Sequence, residues 1–590
     1  GGRALLWFKP QPDVDLRELR LGVGEPVRLW AKQADGPEQQ AGVIAKVERA
    51  RLGVAVDADY AEFLDEGGVN LDREAPEITF DRGAAALARL RDAKADSRAG
   101  QWREFLYGEA KPQATRRGAA PALSPFDAGL NQSQLDAVQF ALDAPQLALI
   151  HGPPGTGKTR TLVEIVRQCL RRSERLLLTA ASNTAVDNLA ERLIAAGVPV
   201  LRLGHPARVA SSVADSTLDA RLEQSPARKL SRRLMSEATE LRRRVEKRRA
   251  RGNLAGHEAR ELYAQARGLA SEARAQLELA REQIFQEAKL VCATAAGADG
   301  GLLARLEFDR VILDEATQAA DPIALIPLSL APRAVLAGDP CQLSPTLLSS
   351  RAAAPGGLST TLFERLAERD GSATVRLLDT QYRMHEHLMR FPSESMYRGQ
   401  LKAAPEVARR VLRDFTGVIA DPLRGGPLVF LDTAGKGYGE QRSEDQPSTS
   451  NPGQAERVAI EVRRILRRGL LPEQLALITP YDAQVRALRA HLRAEFDAGL
   501  EIGTVDGFQG REKEAIVVDL VRSNDDGQLG FLNDVRRMNV ALTRAKRFLL
   551  VIGDSATLTH HPYYAGFMDA ADAQGGSVSA WSDDGLSDFT

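Results

Sequence analysis

The segment that most constrains this chain is 147–160, which reads Leu-Ala-Leu-Ile-His-Gly-Pro-Pro-Gly-Thr-Gly-Lys-Thr-Arg. Its apolar start, 147–150, predicts a buried strand, and a glycine-rich loop then leads into a helix that begins at Lys158. Together they complete the pattern G-x-x-x-x-G-K-[ST] in the strand–loop–helix context that it requires. A glycine-rich turn that matches by chance is the alternative, and the flanking elements disfavour it. The segment predicts a P-loop that binds a nucleoside triphosphate.

P-loop chemistry gives each part of this segment a role. The glycines let backbone N–H groups point at phosphate oxygens, and the helix N-terminus adds partial positive charge. Lys158 is expected to reach the β- and γ-phosphates, and Thr159 to offer its hydroxyl to Mg²⁺. We therefore expect ATP and Mg²⁺ as cofactors. The predicted nucleotide-binding residues of the loop are Gly152, Pro153, Pro154, Gly155, Thr156, Gly157, Lys158 and Thr159.

Charge and cysteine content limit the partners of the chain. Its 590 residues carry a net charge of −1, so a nucleic acid would have to be held by a local basic groove. The cysteines, Cys169, Cys292 and Cys341, share no metal-binding spacing, which disfavours a disulfide framework or a zinc ribbon. No apolar run approaches the ~18 residues of a membrane span. We expect an intracellular protein, cytoplasmic or (in a eukaryote) nuclear, without a membrane partner.

The order of predicted elements indicates an α/β chain with two additions. Short alternating runs at 27–30, 41–47, 53–56 and 78–80 predict a small N-terminal β-barrel or β-sandwich, followed by helix at 84–107. Apolar strands at 147–150, 176–179, 290–293, 310–313 and 334–337 predict one α/β domain, and those at 428–431, 475–478, 515–520 and 548–552 a second.

A helical insertion interrupts the first α/β domain. Residues 227–289 are rich in Arg, Glu, Ala and Leu and contain no proline, which predicts a long antiparallel helix pair with a break near Gly252. A basic cluster lies in the first helix: Arg242, Arg243, Arg244, Lys247, Arg248, Arg249 and Arg251. It has the charge to grip phosphate, but mixed charge on a helix more often marks a solvated face.

Two acids follow the apolar strand that ends at Leu313. Asp314 is expected to hold Mg²⁺, and Glu315 to orient and deprotonate the attacking water. Such a pair is commonly just solvated, but the P-loop upstream favours the catalytic interpretation. Gln342 ends a later strand, where a sensor of the γ-phosphate would lie; a Gly-Asp-Pro turn explains that segment equally well.

These motifs and several others together resemble superfamily 1B helicases, in the branch of the nonsense-mediated-decay RNA helicase and the immunoglobulin-mu-binding helicase. The segments that carry the resemblance, in order, are 130–134 (the Gln motif), 181–187 (motif Ia), 314–318 (Walker B), 338–345 (motif III), 381–384 with 391–392 (motif IV), 504–512 (motif V) and 537–544 (motif VI). They extend over about residues 130–555 in the family's order.

The resemblance implies a fold of two RecA-like P-loop domains with a small N-terminal β-barrel domain and a helical insertion. The implied domains are 1–83, a β-rich accessory (1B-like) domain; 84–120, a stalk helix and linker; 121–226 and 290–370, the two parts of RecA-like domain 1A; 227–289, a 1C-like insertion; 371–567, RecA-like domain 2A; and 568–590, an acidic tail.

The resemblance also implies roles for single residues in the ATP site. Gln134 would read the adenine edge, Tyr382 would stack on the adenine, and Glu512 would bind the ribose. Gln342 would couple the phosphate to domain motion. Arg383 and Arg544 are the candidates for neutralising transition-state charge, and we expect Arg544 to face the nucleotide. Arg537 lies seven residues before it on a predicted helix, so the two should share a face.

By the same resemblance, this is an ATP-dependent 5′→3′ helicase or translocase on single-stranded DNA, RNA or both, acting as a monomer. The strand-holding candidates are Ser182, Asn183, Thr294 and Thr504. As single residues these are more often helix caps or turn formers. A remodelling ATPase without strand separation, or an ATP-gated clamp, stays open as an alternative. A small-molecule kinase is disfavoured by the paired RecA-like halves.

Overall fold

The computed structural model describes residues 3–11, 16, 21–33, 36, 38–48, 51–57, 60–61, 63–66, 68–74, 77–108, 123–204, 208–251, 255–299, 301, 303–347, 357–419, 426–442 and 448–582. The chain forms two compact units. Unit 1 comprises 1–126, 141–148 and 162–336, and unit 2 comprises 127–140, 149–161 and 337–590. Within the described ranges, no helix combines the length and the apolarity that a membrane crossing requires.

An antiparallel sheet of five strands opens unit 1. In spatial order its strands are Arg3–Phe8, Leu52–Asp57, Gln39–Val47, Pro26–Trp30 and Asn70–Arg73. Alternate residues such as Val27 and Leu29 are buried while their neighbours are partly exposed, as expected of strands with one face on a core. The β-rich N-terminal region is therefore confirmed.

The strand predicted at 78–80 is wrong. These residues belong to the first turn of the helix Glu77–Arg91, so the helix also begins earlier than the 84 predicted. Gly83, Ala86 and Leu90 are its buried residues, and their spacing of three and four is helical. By itself, the short apolar run resembles a strand. Its place on a helical face becomes evident only together with the residues that follow it.

The remainder of unit 1 is an α/β layer with a parallel sheet. In spatial order the strands are Leu201–Arg202, Leu290–Thr294, Leu176–Ala180, Arg310–Asp314 and Arg333–Gly338. Their residues are almost all buried, which is typical of parallel strands covered on both faces. The helix Phe63–Glu66 connects two strands of the antiparallel sheet, and further helices of unit 1 are Arg98–Tyr107, Asn183–Ala195, Leu218–Gln224 and Asp321–Leu328.

The predicted helix pair is confirmed. It consists of Pro226–Ala250 and Gly256–Glu287, and the predicted break at Gly252 lies outside the described residues. Small side chains, Ala238, Ala266 and Ala270, form the buried seam where the two helices pack. The basic cluster is exposed, and Arg244 and Arg248 in it face glutamates.

Unit 2 contains a parallel sheet of six strands. In spatial order they are Glu501–Thr504, Leu475–Thr479, Lys513–Asp519, Ala545–Gly553, Leu428–Asp432 and Ser577–Ser579. The helices of this unit are Leu362–Asp370, Glu386–Met396, Pro405–Ala408, Pro452–Arg467, Asp482–His491, Arg493–Asp497, Val535–Leu542, Ser555–Leu558 and Pro562–Asp572. Ordered structure thus continues past 568, where the acidic tail was predicted to begin; residues 583–590 lie outside the described residues.

The P-loop elements lie partly in each unit. The helix Gln132–Asp143 precedes the strand Leu147–His151, and the helix Lys158–Arg171 follows the loop. Within unit 2 this strand pairs in parallel with Val375–Leu377, and the Gly152 N–H donates to the Gly338 carbonyl. The strand–loop–helix arrangement predicted for 147–160 is therefore confirmed.

A buried carboxyl group ends one of the central strands of unit 2. Asp519 accepts hydrogen bonds from Gln484 Nε2 at 2.6 Å and from the Val521 N–H at 3.1 Å. Burial nevertheless raises the pKa of Asp519 from 3.8 to about 7. Between these two pKa values the folded chain binds a proton that the unfolded chain has released. The free energy of unfolding of unit 2 must therefore fall as the pH rises through this window.

We predict that Asp519→Asn removes this pH dependence. Relative to wild type, the free energy of unfolding of the variant should rise by on the order of 2 kcal/mol between pH 5 and pH 7. Urea denaturation, followed by a probe in unit 2 at both pH values, measures it. The exposed Asp572→Asn serves as control and should follow wild type. Parallel pH trends of Asp519→Asn and wild type would contradict the assignment.

Candidate functional site

Two glycines of the P-loop make a close approach that leaves no room for a side chain. Gly155 and Gly157 have φ of +76° and +78°, in the left-handed region that favours glycine. A Cβ atom on Gly155 would lie 2.7 Å from the Cβ of Arg383, and one on Gly157 2.5 Å from Nε2 of Gln134. Both the backbone conformation and the packing therefore require glycine at these positions.

Gln134 is buried directly behind the loop. Its Nε2 donates to the Thr156 carbonyl at 2.9 Å, and its Oε1 accepts from the Asn131 N–H at 3.0 Å. One N–H of the amide thus supports the loop backbone. The predicted contact of Gln134 with the adenine edge stays a prediction.

Tyr382 joins the loop from far along the chain. Its backbone N–H donates to the Gly155 carbonyl at 2.8 Å, and its hydroxyl accepts from Asn131 Nδ2 at 2.8 Å. The sequence argument assigned no role to Asn131, although it lies within the segment that resembles the Gln motif. The tyrosine ring is thereby tied to the segment that leads into the P-loop.

Arg383 is held by an acid and a backbone carbonyl. Its Nε lies 2.6 Å from Oε2 of Glu512, and its Nη1 donates to the Thr543 carbonyl at 2.9 Å. Lys546 Nζ lies 3.2 Å from the other Glu512 oxygen. Burial opposes ionisation of Glu512, but Arg383 and Lys546 outweigh it and hold the pKa of that carboxyl below its ordinary value. Glu512 therefore positions Arg383 in this structure, and its contact with ribose stays a prediction.

The expectation that Arg537 and Arg544 share a helical face is wrong. The helix Val535–Leu542 ends before Arg544, which follows the cap residue Thr543 and precedes the strand Ala545–Gly553. Arg537 instead pairs at 3.2 Å with Asp534, the N-cap residue of its own helix. Spacing along a sequence predicts a common face only while the helix continues.

Arg544 is almost fully buried, with 1% of its surface exposed. Its guanidinium donates to the carbonyls of Val540 and Arg511 and, over 3.4 Å, to Oε1 of Gln342. Burial lowers the pKa of Arg544 to about 9, which leaves it protonated at neutral pH. The structure thus holds a positive charge against Gln342.

Gln342 belongs to a buried polar network. Its Nε2 donates to Oδ2 of Asp339 at 2.6 Å, and the Tyr397 hydroxyl donates to the same oxygen at 2.8 Å. Asn539 Nδ2 donates to that hydroxyl at 2.9 Å and to the Cys341 carbonyl at 2.7 Å. Burial opposes ionisation of Asp339, but His151, Gln342 and Tyr397 together keep its pKa below the ordinary value.

Sequence reasoning missed most of this network. Asp339 stands in the segment that resembles motif III, and Asn539 in the one that resembles motif VI, so both carried a signal. Tyr397 carried none, because only the fold brings it to Asp339. The three side chains hold Gln342 in place, which is a positioning role that motif spacing does not reveal.

In unit 1, Asp314 and Glu315 stand at the carboxyl end of the strand Arg310–Asp314. Glu315 has φ 51° and ψ 41°, a left-handed conformation that is uncommon for a residue with a side chain. Its N–H donates to Oδ1 of Asp314 at 2.8 Å, and its Oε2 accepts from Gln318 Nε2 at 2.8 Å. Such strain persists where the surrounding structure imposes it, and it clusters at functional sites.

The four strand-holding candidates lie near the carboxyl ends of strands. Ser182 caps the helix Asn183–Ala195 by accepting from the Ala185 N–H at 3.2 Å. Thr294 accepts from the Gly297 N–H at 3.0 Å, and Asn183 from Arg202 Nη2 at 2.9 Å. Thr504 ends the strand Glu501–Thr504. Ser182 and Thr294 thus have the local roles, cap and turn former, that the alternative interpretation gave them, and nucleic-acid binding stays a prediction for all four.

Comparison with known proteins places these features in a family. Two models of AAA domains match the chain, one over residues 129–350 and the other over 358–556. The rat DNA-binding protein SMUBP-2 is 38% identical over 586 residues, which cover 96% of this chain and 57% of that protein. The ATP-dependent helicase upf1 of Schizosaccharomyces pombe is 31% identical over 593 residues, which cover 96% of this chain and 60% of the relative.

An archaeal relative matches over most of its own length. An uncharacterized ATP-dependent helicase of Methanocaldococcus jannaschii is 34% identical over 554 residues, which cover 87% of this chain and 80% of that protein. The chain spans only 57% of the length of the rat SMUBP-2 protein. Given the match along nearly the whole chain and the P-loop site that the fold assembles, this protein belongs to the Upf1-like branch of the superfamily 1 helicases.

Proposed function

We propose that this protein is an ATP-driven 5′→3′ helicase or translocase that acts as a monomer on single-stranded DNA, RNA or both. The observation that carries the proposal is the set of contacts between the P-loop and residues from the second half of the chain. Gly155 of the P-loop contacts Tyr382 and Arg383. Within the second half, Gln342 contacts Arg544. A site built from both halves of the chain makes ATP turnover depend on their arrangement, which is the requirement for a motor.

In this proposal the P-loop binds ATP through backbone N–H groups, Lys158 and the helix N-terminus. Thr159 and Asp314 offer hard oxygen ligands, a donor set that suits Mg²⁺. When bound, Mg²⁺ supplies charge neutralisation of the phosphates. Glu315 orients the attacking water and takes a proton from it, and Gln342 senses the γ-phosphate and couples it to domain motion.

Positive charge from the second half of the chain completes the catalytic chemistry. Arg544 stabilises the charge that develops on the γ-phosphate, because a guanidinium can neutralise several phosphate oxygens at once. Arg383, held by Glu512, is the second candidate for this role. We propose that loss of the γ-phosphate releases these contacts.

Single-stranded nucleic acid would be held at strand ends in both units. Ser182, Asn183, Thr294 and Thr504 are the proposed contacts, and their location near the carboxyl ends of parallel strands supports this, because ligands of α/β sheets bind there. Grips of this type contact the sugar–phosphate backbone, so binding should tolerate any sequence and weaken with salt.

Steady-state ATPase rates with no nucleic acid, with single-stranded DNA and with single-stranded RNA, at matched salt, test the function. We expect strong stimulation by at least one polymer, because a motor couples turnover to its track. Displacement of streptavidin from a biotinylated single strand distinguishes a motor from a clamp. A clamp uses ATP turnover only to set when it releases the nucleic acid, so it does not displace the streptavidin. A rate indifferent to both polymers would contradict the proposal.

Replacement of Glu315 by Gln should leave ATP binding intact and lower turnover by at least about 10²-fold, because it removes the base and spares the phosphate cradle. Fluorescent-nucleotide binding and the stimulated ATPase rate measure the two effects. Glu307→Gln changes an exposed acid near the same strand and should behave as wild type. Normal turnover of Glu315→Gln would exclude Glu315 as the base.

Removal of Arg544 should lower the stimulated ATPase rate by about 10³-fold or more, as loss of an arginine finger does in other NTPases. Arg544→Ala is the direct test, and Arg544→Lys keeps the charge at this buried position without the planar fork. Arg537→Ala, a change on the neighbouring helix, is the control. A loss of about tenfold or less, in variants that stay folded, would assign the finger to Arg383 instead.

A further inference from the structure

Three side chains with metal-binding atoms meet in unit 2 beside the polar network of Gln342. They are His151, the last residue of the P-loop strand, and Asp339 and Cys341, which follow the strand Arg333–Gly338. Nε2 of His151 lies 3.1 Å from Oδ1 of Asp339. One ligand atom from each residue lies within 4.8 Å of the other two. We propose that these residues form a binding site for Zn²⁺.

The ligand set selects the ion. Imidazole and thiolate bind Zn²⁺ well, a carboxylate can be the third ligand, and Mg²⁺ prefers oxygen ligands alone. In a tetrahedral zinc site the ligand atoms lie about 2.0–2.3 Å from the ion, so neighbouring ligand atoms are roughly 3.3–3.6 Å apart. The imidazole and carboxylate atoms, now hydrogen-bonded at 3.1 Å, lie slightly closer than this spacing and must move apart by a few tenths of an ångström to bind the ion. The Cys341 thiol donates to the Met396 carbonyl at 3.1 Å, so binding requires its sulfur to leave that hydrogen bond and to release its proton to the solvent.

Surrounding groups already orient the carboxylate. Tyr397 donates to Oδ2 of Asp339 at 2.8 Å, and the Cys341 N–H donates to Oδ1 at 3.0 Å. Outer hydrogen bonds of this type fix metal ligands in place. The His151 side chain is 18% exposed and Cys341 is partly exposed, so an ion can reach the cluster from solvent.

Occupation of the site would act on Gln342. Asp339 accepts from Nε2 of Gln342 at 2.6 Å, and an ion shared by His151 and Cys341 would compete for the same carboxylate. The ion would also link the P-loop strand to the segment that carries Gln342. We therefore expect Zn²⁺ to inhibit ATP turnover. This consequence rests on the proposed function, whereas the site itself does not.

The experiment uses Co²⁺ as a probe, because a thiolate–cobalt bond gives an absorption band that is independent of activity. Wild type should bind one Co²⁺ with this band, and Zn²⁺ should displace it. Cys341→Ala should lose the band, with Cys341→Ser as a second variant. His151→Gln retains a donor to Asp339 and should bind Co²⁺ at least about tenfold more weakly. Cys169→Ala removes a buried thiol elsewhere and should match wild type.

The outcomes separate the site from its consequence. Absence of the band in wild type, or its persistence in a folded Cys341 variant, would overturn the site. Where Co²⁺ binds as expected, Zn²⁺ should lower the stimulated ATPase rate of wild type and of Cys169→Ala, and a zinc-selective chelator should restore it. An unchanged rate with zinc bound would overturn the inhibition alone. If the chain shows no ATPase activity before any zinc is added, the proposed function is contradicted. The cobalt result still supports the metal site in that case.

Discussion

The close approach between the P-loop backbone and the side chains behind it is the contact on which the ATP site depends. The carbonyls of Gly155 and Thr156 accept from the Tyr382 N–H and from Gln134. Because the C=O and N–H of one trans peptide point in opposite directions, the contact at Thr156 turns the Gly157 N–H away from Gln134. The residues that pack behind the loop thus direct one of its backbone donors, the Gly157 N–H, to the opposite side of the loop.

Buried charge is the second constraint on this site. Asp339 and Arg544 are both nearly inaccessible to solvent, and Gln342 lies between them with one hydrogen bond to each. An isolated buried charge is strongly unfavourable, so each must be surrounded by partners. His151 and Tyr397 provide partners for Asp339, and the carbonyls of Val540 and Arg511 accept from Arg544. Gln342 therefore connects the Asp339 carboxylate to the Arg544 guanidinium. A movement of either side chain changes the hydrogen bond that Gln342 can make to the other.

The sequence predicted most of the elements and named most residues of the candidate site, because both follow from local patterns. The buried strands read as apolar runs, and the P-loop, Asp314 and Arg544 stand in ordered motifs. The failures have a common cause in long-range structure. Residues 78–80 look like a strand until the helix that contains them is complete, and Arg544 looks helical until the helix ends at Leu542. Tyr397 and His151 reach Asp339 only in the fold.

Because of the left-handed backbone at Glu315, the stability of the chain competes with the presence of a carboxylate at this position. A residue with a Cβ atom in this conformation costs roughly 1–2 kcal/mol, and glycine adopts it without that cost. Selection for thermal stability alone would accordingly favour glycine at 315, and would discard the carboxylate with the strain. A single substitution at this position would therefore raise the stability of the chain and remove the proposed general base.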